Sequence, residues 1–213
     1  MNAEAFVRAN TTIARAPLVP EIALHLATEI TPIWQATESW LHEQNIEPPF
    51  WAFAWPGGQA LARLLLDGPA RVAGRRVLDF AAGCGIAAIA AAQAGAARVD
   101  AAEIDPLAIA AIAVNAALNG VSVIALAEDV VGQAGRWDTV IAGDVCYEAP
   151  MTAHILPWLR GLAAAGVEVL IADPGRAYVP AAGMETLATY RVPTTRELED
   201  REERLVTIHS LLA

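Results

Sequence analysis

From residue 75 onward the apolar positions fall into short and long runs that alternate along the chain. The short runs, rich in Val, Ile, Leu and Ala, predict strands at 76–80, 98–103, 121–126, 138–143 and 167–172. The longer runs between them predict helices at 84–94, 106–119 and 149–164. Strands alternating with helices are the pattern of a parallel sheet covered by helices. Asp105-Pro106 marks a helix start, Asp as the N-cap and Pro at the first helical position, and Asn119-Gly120 marks its end. After the fifth strand the alternation stops: Thr186–Val192 and Arg204–Leu212 predict two strands joined by the charged stretch Thr194–Glu203. Upstream, residues 1–48 are patterned separately and run into Glu47-Pro48-Pro49, a stiff extended break. The division expected is an N-terminal helical extension at 1–48 and a main domain at 49–213, opened by a helix at about 58–66.

Composition narrows the class. At 213 residues with 55% apolar and 18% charged content, the chain suits one well-buried domain plus a modest extension. Twenty-four acidic residues against 14 Lys and Arg give a formal charge of −10 with no basic run, which disfavours nucleic-acid binding through phosphate neutralisation. No apolar stretch is long enough to span a membrane, and the first residues lack the basic and apolar regions of a signal peptide. A cytoplasmic protein is expected. Cys84 and Cys146 fit a reducing compartment, lack metal-ligand spacing, and read as small packing residues that could lie close together. No metal is expected.

The candidate chemistry begins at Val77-Leu-Asp-Phe-Ala-Ala-Gly-Cys-Gly85, a strand that ends in an acid and breaks into a glycine loop ahead of a helix. Gly83 and Gly85 allow close approach of a ligand and positive φ, and the helix start beneath them completes a cofactor cradle. With Ala88 they satisfy G-x-G-x-x-A, which admits a nicotinamide or flavin cofactor as well as S-adenosylmethionine. Asp79 would repel a pyrophosphate but complement an ammonium and a sulfonium, which favours the methyl donor. Glu103, 18 residues beyond Gly85 at the end of the second strand, is placed to accept from both ribose hydroxyls. Asp105 beside it serves as a helix cap or as a further ribose contact, and Asp129, after the third strand, could accept from the adenine amine. The fourth strand ends in Gly143-Asp-Val-Cys-Tyr-Glu148, which sends Asp144 and Tyr147 into the crevice where open α/β sheets bind ligands. Such a pair can hold a neutral amine in line with a methyl group and shield it from water. Trp51, Phe53 and Trp55 alternate as on an extended strip, so they could share one side, either as core or as the wall of a site. Arg176 either meets an acidic substrate surface or pairs with Asp173.

Taken together, Pro49–Gln59, Asp79–Gly85, Glu103-Ile-Asp-Pro106, Asn115 with Asn119, Gly143–Tyr147 and Asp173-Pro-Gly-Arg176 resemble the seven-β-strand protein lysine methyltransferases. The branch most similar modifies the β-subunit of electron transfer flavoprotein. The resemblance covers roughly residues 47–212. It implies a Rossmann-like class I methyltransferase fold, a mostly parallel seven-stranded sheet with a C-terminal antiparallel hairpin and helices on both faces. It implies S-adenosylmethionine as cofactor, with Asp79, Gly83, Gly85, Glu103 and Asp129 around it, Asp105 and Asp144 beside them, and Trp55 closing over its methionine end. Asp144 and Tyr147 match the acid-x-x-aromatic motif that lines the lysine channel, with Trp51, Phe53 and Arg176 on the substrate side. Ala81 departs from the family, which often has glycine there. The activity implied is protein-lysine N-methylation. A nicotinamide-like small-molecule N-methyltransferase, a ribosomal-protein methyltransferase and a catalytically silent binding fold are the competitors.

Overall fold

A computed structural model describes residues 2–28 and 49–212. Its first part is a helix, α1 (Ala3–Asn10), followed by the antiparallel pair β1 (Thr12–Ala16) and β2 (Val19–Leu26). After a 3-10 turn at Phe50–Ala52 come α2 (Pro56–Asp67), β3 (Arg76–Phe80), α3 (Ile86–Gln93), β4 (Arg98–Ala102) and α4 (Pro106–Leu118). The chain continues through β5 (Ile124–Leu126), β6 (Thr139–Gly143), α5 (Ala149–Ala164) and β7 (Glu168–Asp173). It closes with β8 (Met184–Pro193), the short α6 (Arg196–Glu199) and β9 (Glu203–Leu211).

Strands β3 to β9 form one seven-stranded sheet in the order β5-β4-β3-β6-β7-β9-β8. The neighbours from β5 through β7 are parallel, and β9 inserts antiparallel between β7 and β8. This is the class I methyltransferase architecture expected. The chain runs outward from β3 to β4 and β5, then crosses back to β6 on the other side of β3, so the strand order reverses there. Ligands of open α/β sheets bind at the carboxyl ends of strands at such a switch.

Alternate residues of each strand feed two cores. Val77, Ile141 and Leu170 join the cluster under α2 and α3, while Leu78, Val140 and Val169 join the one that includes Ile155, Leu159 and Leu162 of α5. Cys84 lies in the first cluster and Cys146 in the second, each buried and free.

The third strand is shorter than expected. Val121 N–H donates to the Ala116 carbonyl at 3.1 Å, so residues after Gly120 finish capping α4 before the chain can pair with β4. The amino-terminal extension also differs from the helix expected. Among its described residues only α1 is helical: Pro17 and Pro20 disfavour helix over this stretch, and the β1–β2 hairpin forms around them. The expectations for residues 29–48 lie outside the described residues. Ala16, Val19, Ile22 and Leu24 share a cluster with Leu61 and Ile89, which gives hairpin and main domain a common core.

Candidate functional site

The glycine loop is held from three sides. Asp79, at the end of β3 and 3% exposed, accepts from Ala88 N–H at 2.8 Å and so satisfies one of the free donors of α3. Glu103 accepts from Gly83 N–H at 2.8 Å and from Ile104 N–H at 3.1 Å. Asn115 Nδ2 donates to the Cys84 carbonyl at 2.9 Å. Inside this frame Ala81, Gly83 and Gly85 have φ of 54°, 54° and 78°. Ala81 therefore takes the left-handed turn that glycine provides elsewhere, so the departure from the family motif leaves the turn in place. A Cβ on Gly83 would meet nothing within 4 Å, whereas one on Gly85 would lie 3.3 Å from Ile112 Cγ1. Gly83 thus lines open space and Gly85 serves the packing of the loop on α4.

Burial pushes the Asp79 carboxyl up to about 7, helped by the negative Glu103, and burial raises Glu103 as well. Asp105 Oδ1 accepts from Leu107 N–H at 2.7 Å as the N-cap of α4 while also facing the cavity. Asp129, exposed, caps its own turn through Val131 N–H at 2.9 Å and meets His154 Nε2 at 3.3 Å.

The other half of the site is built on close backbone contact. Gly143 and Asp144 leave β6 against Gly57 and Gly58 in the first turn of α2. A Cβ on Gly143 would come within 2.7 Å of Gly58 N, and one on Gly57 within 2.5 Å of Asp144 Oδ2. Asp144 Oδ2 accepts from Gly57 N–H at 2.6 Å and Gly58 N–H at 3.3 Å, a carboxylate on a helix N-terminus. Asp144 N–H donates to the Ala172 carbonyl at 2.9 Å, and these contacts hold its backbone at φ 57°. Its second oxygen meets Arg176 Nη2 at 3.4 Å. Burial pushes Asp144 up to about 7 despite the guanidinium.

Arg176 turns inward rather than to the surface. Its guanidinium bonds Glu199 at 2.8 Å and reaches Asp144, while Asp173 Oδ1 accepts from the backbone N–H of Gly175 and of Arg176, each at 2.7 Å. The partner expected for its side chain, Asp173, instead holds its main chain.

The aromatic segment does not form an alternating strip, because Phe50–Ala52 is a 3-10 turn. Trp51, 1% exposed, packs with Val7 of α1 and Ala108 and Ala111 of α4, although it also borders the cavity. Phe50 takes the outward place: its ring lies 5.9 Å from Trp55 and 6.1 Å from Tyr147, and Trp55 Nε1 donates to its carbonyl at 2.7 Å. Phe53 lies 6.1 Å from Trp55. Tyr147 and Phe50 remain 45% and 46% exposed at the mouth.

One cavity of about 760 Å³ joins these parts, of a size that suits a cofactor together with an acceptor side chain. Trp51, Phe53, Trp55, Asp79, Gly83, Glu103, Asp105, Asp129, Asp144, Tyr147 and Arg176 all border it, and Gly85 lies just beneath. The loop that a Cβ would not obstruct at Gly83, with buried acids to either side, fits a cofactor that carries cationic groups. Sequence reasoning missed Phe50, Met151 and His154 on its walls and Gly57 and Gly58 as donors to Asp144. The pair of glycines after Trp55-Pro56 was the available signal for that close approach.

The family model described as ribosomal protein L11 methyltransferase (PrmA) matches residues 61–145. The chain is similar to the electron transfer flavoprotein beta subunit lysine methyltransferase of Xenopus laevis, 43% identical over 176 residues that cover 81% of this chain and 70% of that one. Among solved structures it is similar to a ribosomal protein L11 methylase from Lactobacillus delbrueckii, with a TM-score of 0.59 and 21% identity over 94% of this chain and 100% of that one. It is also similar to the magnesium protoporphyrin IX methyltransferase of Synechocystis PCC 6803 with bound SAM, with a TM-score of 0.55 and 19% identity over 73% of this chain and 79% of that one.

Proposed function

The chain belongs to the electron transfer flavoprotein β-subunit lysine methyltransferase family, and on that premise we propose that it methylates lysine ε-amines of that subunit with S-adenosylmethionine as donor. The observation that supports the reading is that the glycine loop and the Asp144–Tyr147 pair border the same cavity. When bound, S-adenosylmethionine supplies an electrophilic methyl on a sulfonium that leaves as a neutral thioether.

Asp79, Glu103, Asp105 and Asp129 give the loop end a negative lining for the ammonium, ribose and adenine amine of the donor, with Trp55 at its methionine end. The acceptor end must select a lysine ammonium, strip its proton and exclude water, since only the free amine has a lone pair and its ordinary pKa is about 10.4. Asp144 suits removal of the proton, because its carboxyl ionises near neutrality and, among the described residues, its Oδ1 keeps only the long contact to Arg176. Phe50, Trp55 and Tyr147 wall the approach and can hold a cationic side chain against their faces. Arg176, held by Glu199, acts on the substrate side through Asp144. The acidic rim and the net charge of −10 favour a lysine-bearing protein segment over a nucleic-acid backbone. Two buried free cysteines suit a reducing compartment, and we place the protein in the cytoplasm.

The test is incubation with labelled donor and, separately, recombinant electron transfer flavoprotein β-subunit or nicotinamide. Label on lysine-containing peptides of the subunit is expected, located by mass spectrometry. Label confined to nicotinamide would overturn the assignment.

A further inference from the structure

Glu199 does not border the cavity, yet its side chain is 2% exposed and fully engaged. Its Oε1 accepts from Arg176 Nη2 at 2.8 Å and its Oε2 from Arg204 Nε at 2.8 Å, while Arg204 Nη2 donates to the Glu199 carbonyl at 2.9 Å. Arg204 belongs to the same hairpin and would be enough to pin α6 there. Arg176 comes from the loop after β7, and the nitrogen it gives to Glu199 is the one that meets Asp144 Oδ1 at 3.4 Å. One terminal NH2 group of the guanidinium, with two N–H bonds to give, therefore stands between two carboxylates, nearer to Glu199. The arginine's main chain is fixed by Asp173, so Glu199 decides where its head sits. The next residue back, Leu198, packs against the cluster that holds Trp51 and Phe53, as Trp55 does.

We propose that Glu199 is a positioning residue for methyl transfer: through Arg176 it sets how much positive charge faces Asp144, which makes the carboxy-terminal hairpin part of the acceptor half of the active site. The proposal rests on the assignment of Asp144 as the group that meets the acceptor amine. The charged groups acting on Asp144 are Asp173 at the end of β7, Arg176 in the loop after it and Glu199 on α6; beyond them Arg204 of β9 bonds Glu199, and Asp173 interacts with His209 of β9 and with Cys146. From α2 it receives only backbone N–H groups.

The experiment is the pH profile of kcat/KM for the β-subunit acceptor, with full-length protein and saturating S-adenosylmethionine. The slope should steepen below the ionisation of Asp144, because both it and the acceptor amine must then lose a proton. Glu199→Gln removes a negative neighbour and frees Arg176 for Asp144, so the break should move down by about one pH unit, the scale expected for a charge at this distance. Arg204→Gln leaves Glu199 to pull on Arg176 alone and should move the break up. The second variant keeps the test alive if the first does not fold, as judged by near-UV circular dichroism and donor binding. A role confined to structure would lower the melting temperature of either variant and leave the break where it is, which overturns the proposal. Asp144→Asn separates the two levels: a wild-type rate and profile in that variant would remove Asp144 from the chemistry, whatever Glu199 does.

Discussion

Gly57→Ala should damage both stability and transfer through a single added methyl group. The new Cβ would lie 2.5 Å from Asp144 Oδ2, 2.7 Å from the Ala172 carbonyl and 2.8 Å from Asp144 N. Ordinary contact begins near 3.4 Å, so the start of α2 or the end of β6 must give way by several tenths of an ångström. Neither can do so alone, since Asp144 is tied to β7 by its N–H and to α2 by its carboxylate. Overpacking costs about 1–3 kcal/mol, and losing the charge-assisted bond from Gly57 N–H costs about 1.5–3 kcal/mol. The stiffer unfolded chain returns about 0.4–1 kcal/mol. The net loss is about 1.5–5.6 kcal/mol, or roughly 3–22 °C in melting temperature for a chain of this size. Displacement of the Asp144 carboxyl by such an amount should lower kcat by up to about 100-fold in molecules that still fold. Differential scanning calorimetry and steady-state methylation assays read the two effects. Gly161→Ala is the control: its Cβ would meet nothing within 4 Å inside α5, and it should stabilise by about 0.5–1 kcal/mol. A Gly57→Ala protein that melts and turns over like wild type would refute the close-contact account of Asp144.

Ala81→Gly should leave activity intact and raise stability by at most about 1 kcal/mol, because relief of a left-handed alanine is partly offset by a floppier unfolded chain; denaturant titration measures it. Asn115→Ala and Asn119→Ala should each cost about 1–3 kcal/mol by stranding N–H groups of β2, seen as faster hydrogen exchange over residues 12–26. Only Asn115→Ala should also weaken donor binding in calorimetry, since it alone releases the Cys84 carbonyl; equal affinities in the two variants would contradict that link. Asp79 and Asp144 both keep their protons up to about pH 7 when folded, whereas unfolded carboxyls release theirs near pH 4. Between those values the native state binds more protons, so these two groups make stability fall as pH rises from about 4 to 7 and level off above. Asp79→Asn should remove part of that fall in melting temperatures measured across the window, and an unchanged slope would count against the buried acid.

The sheet was legible because its strands are short apolar runs set between long ones, and the hairpin because Pro, Gly and charge clusters bracket its strands. The cradle was legible because glycine, a strand-end acid and a helix start stand in fixed order along a few residues. What escaped depends on contacts between distant segments. Nothing local distinguishes Phe50 from Trp51, yet the 3-10 turn sends one outward and the other under α1. Arg176 could be placed on its loop but not aimed, because its partner Glu199 comes from a charged stretch 23 residues on. The amino-terminal hairpin was hidden for a like reason: backbone groups of β2 are satisfied by the side chains of Asn115 on α4 and Asn119 at its carboxyl end.

Those asparagines also set an order of events during synthesis. The bonds from Asn115 and Asn119 to β2 span 90 and 96 residues of chain. A lone two-stranded hairpin is marginal in water. At about 5–20 residues per second the hairpin would emerge from the ribosome and wait roughly 5–20 s for α4. Until then the Cys84 carbonyl has no Asn115 to meet, so the helix that captures the hairpin is also the one that completes the cofactor loop.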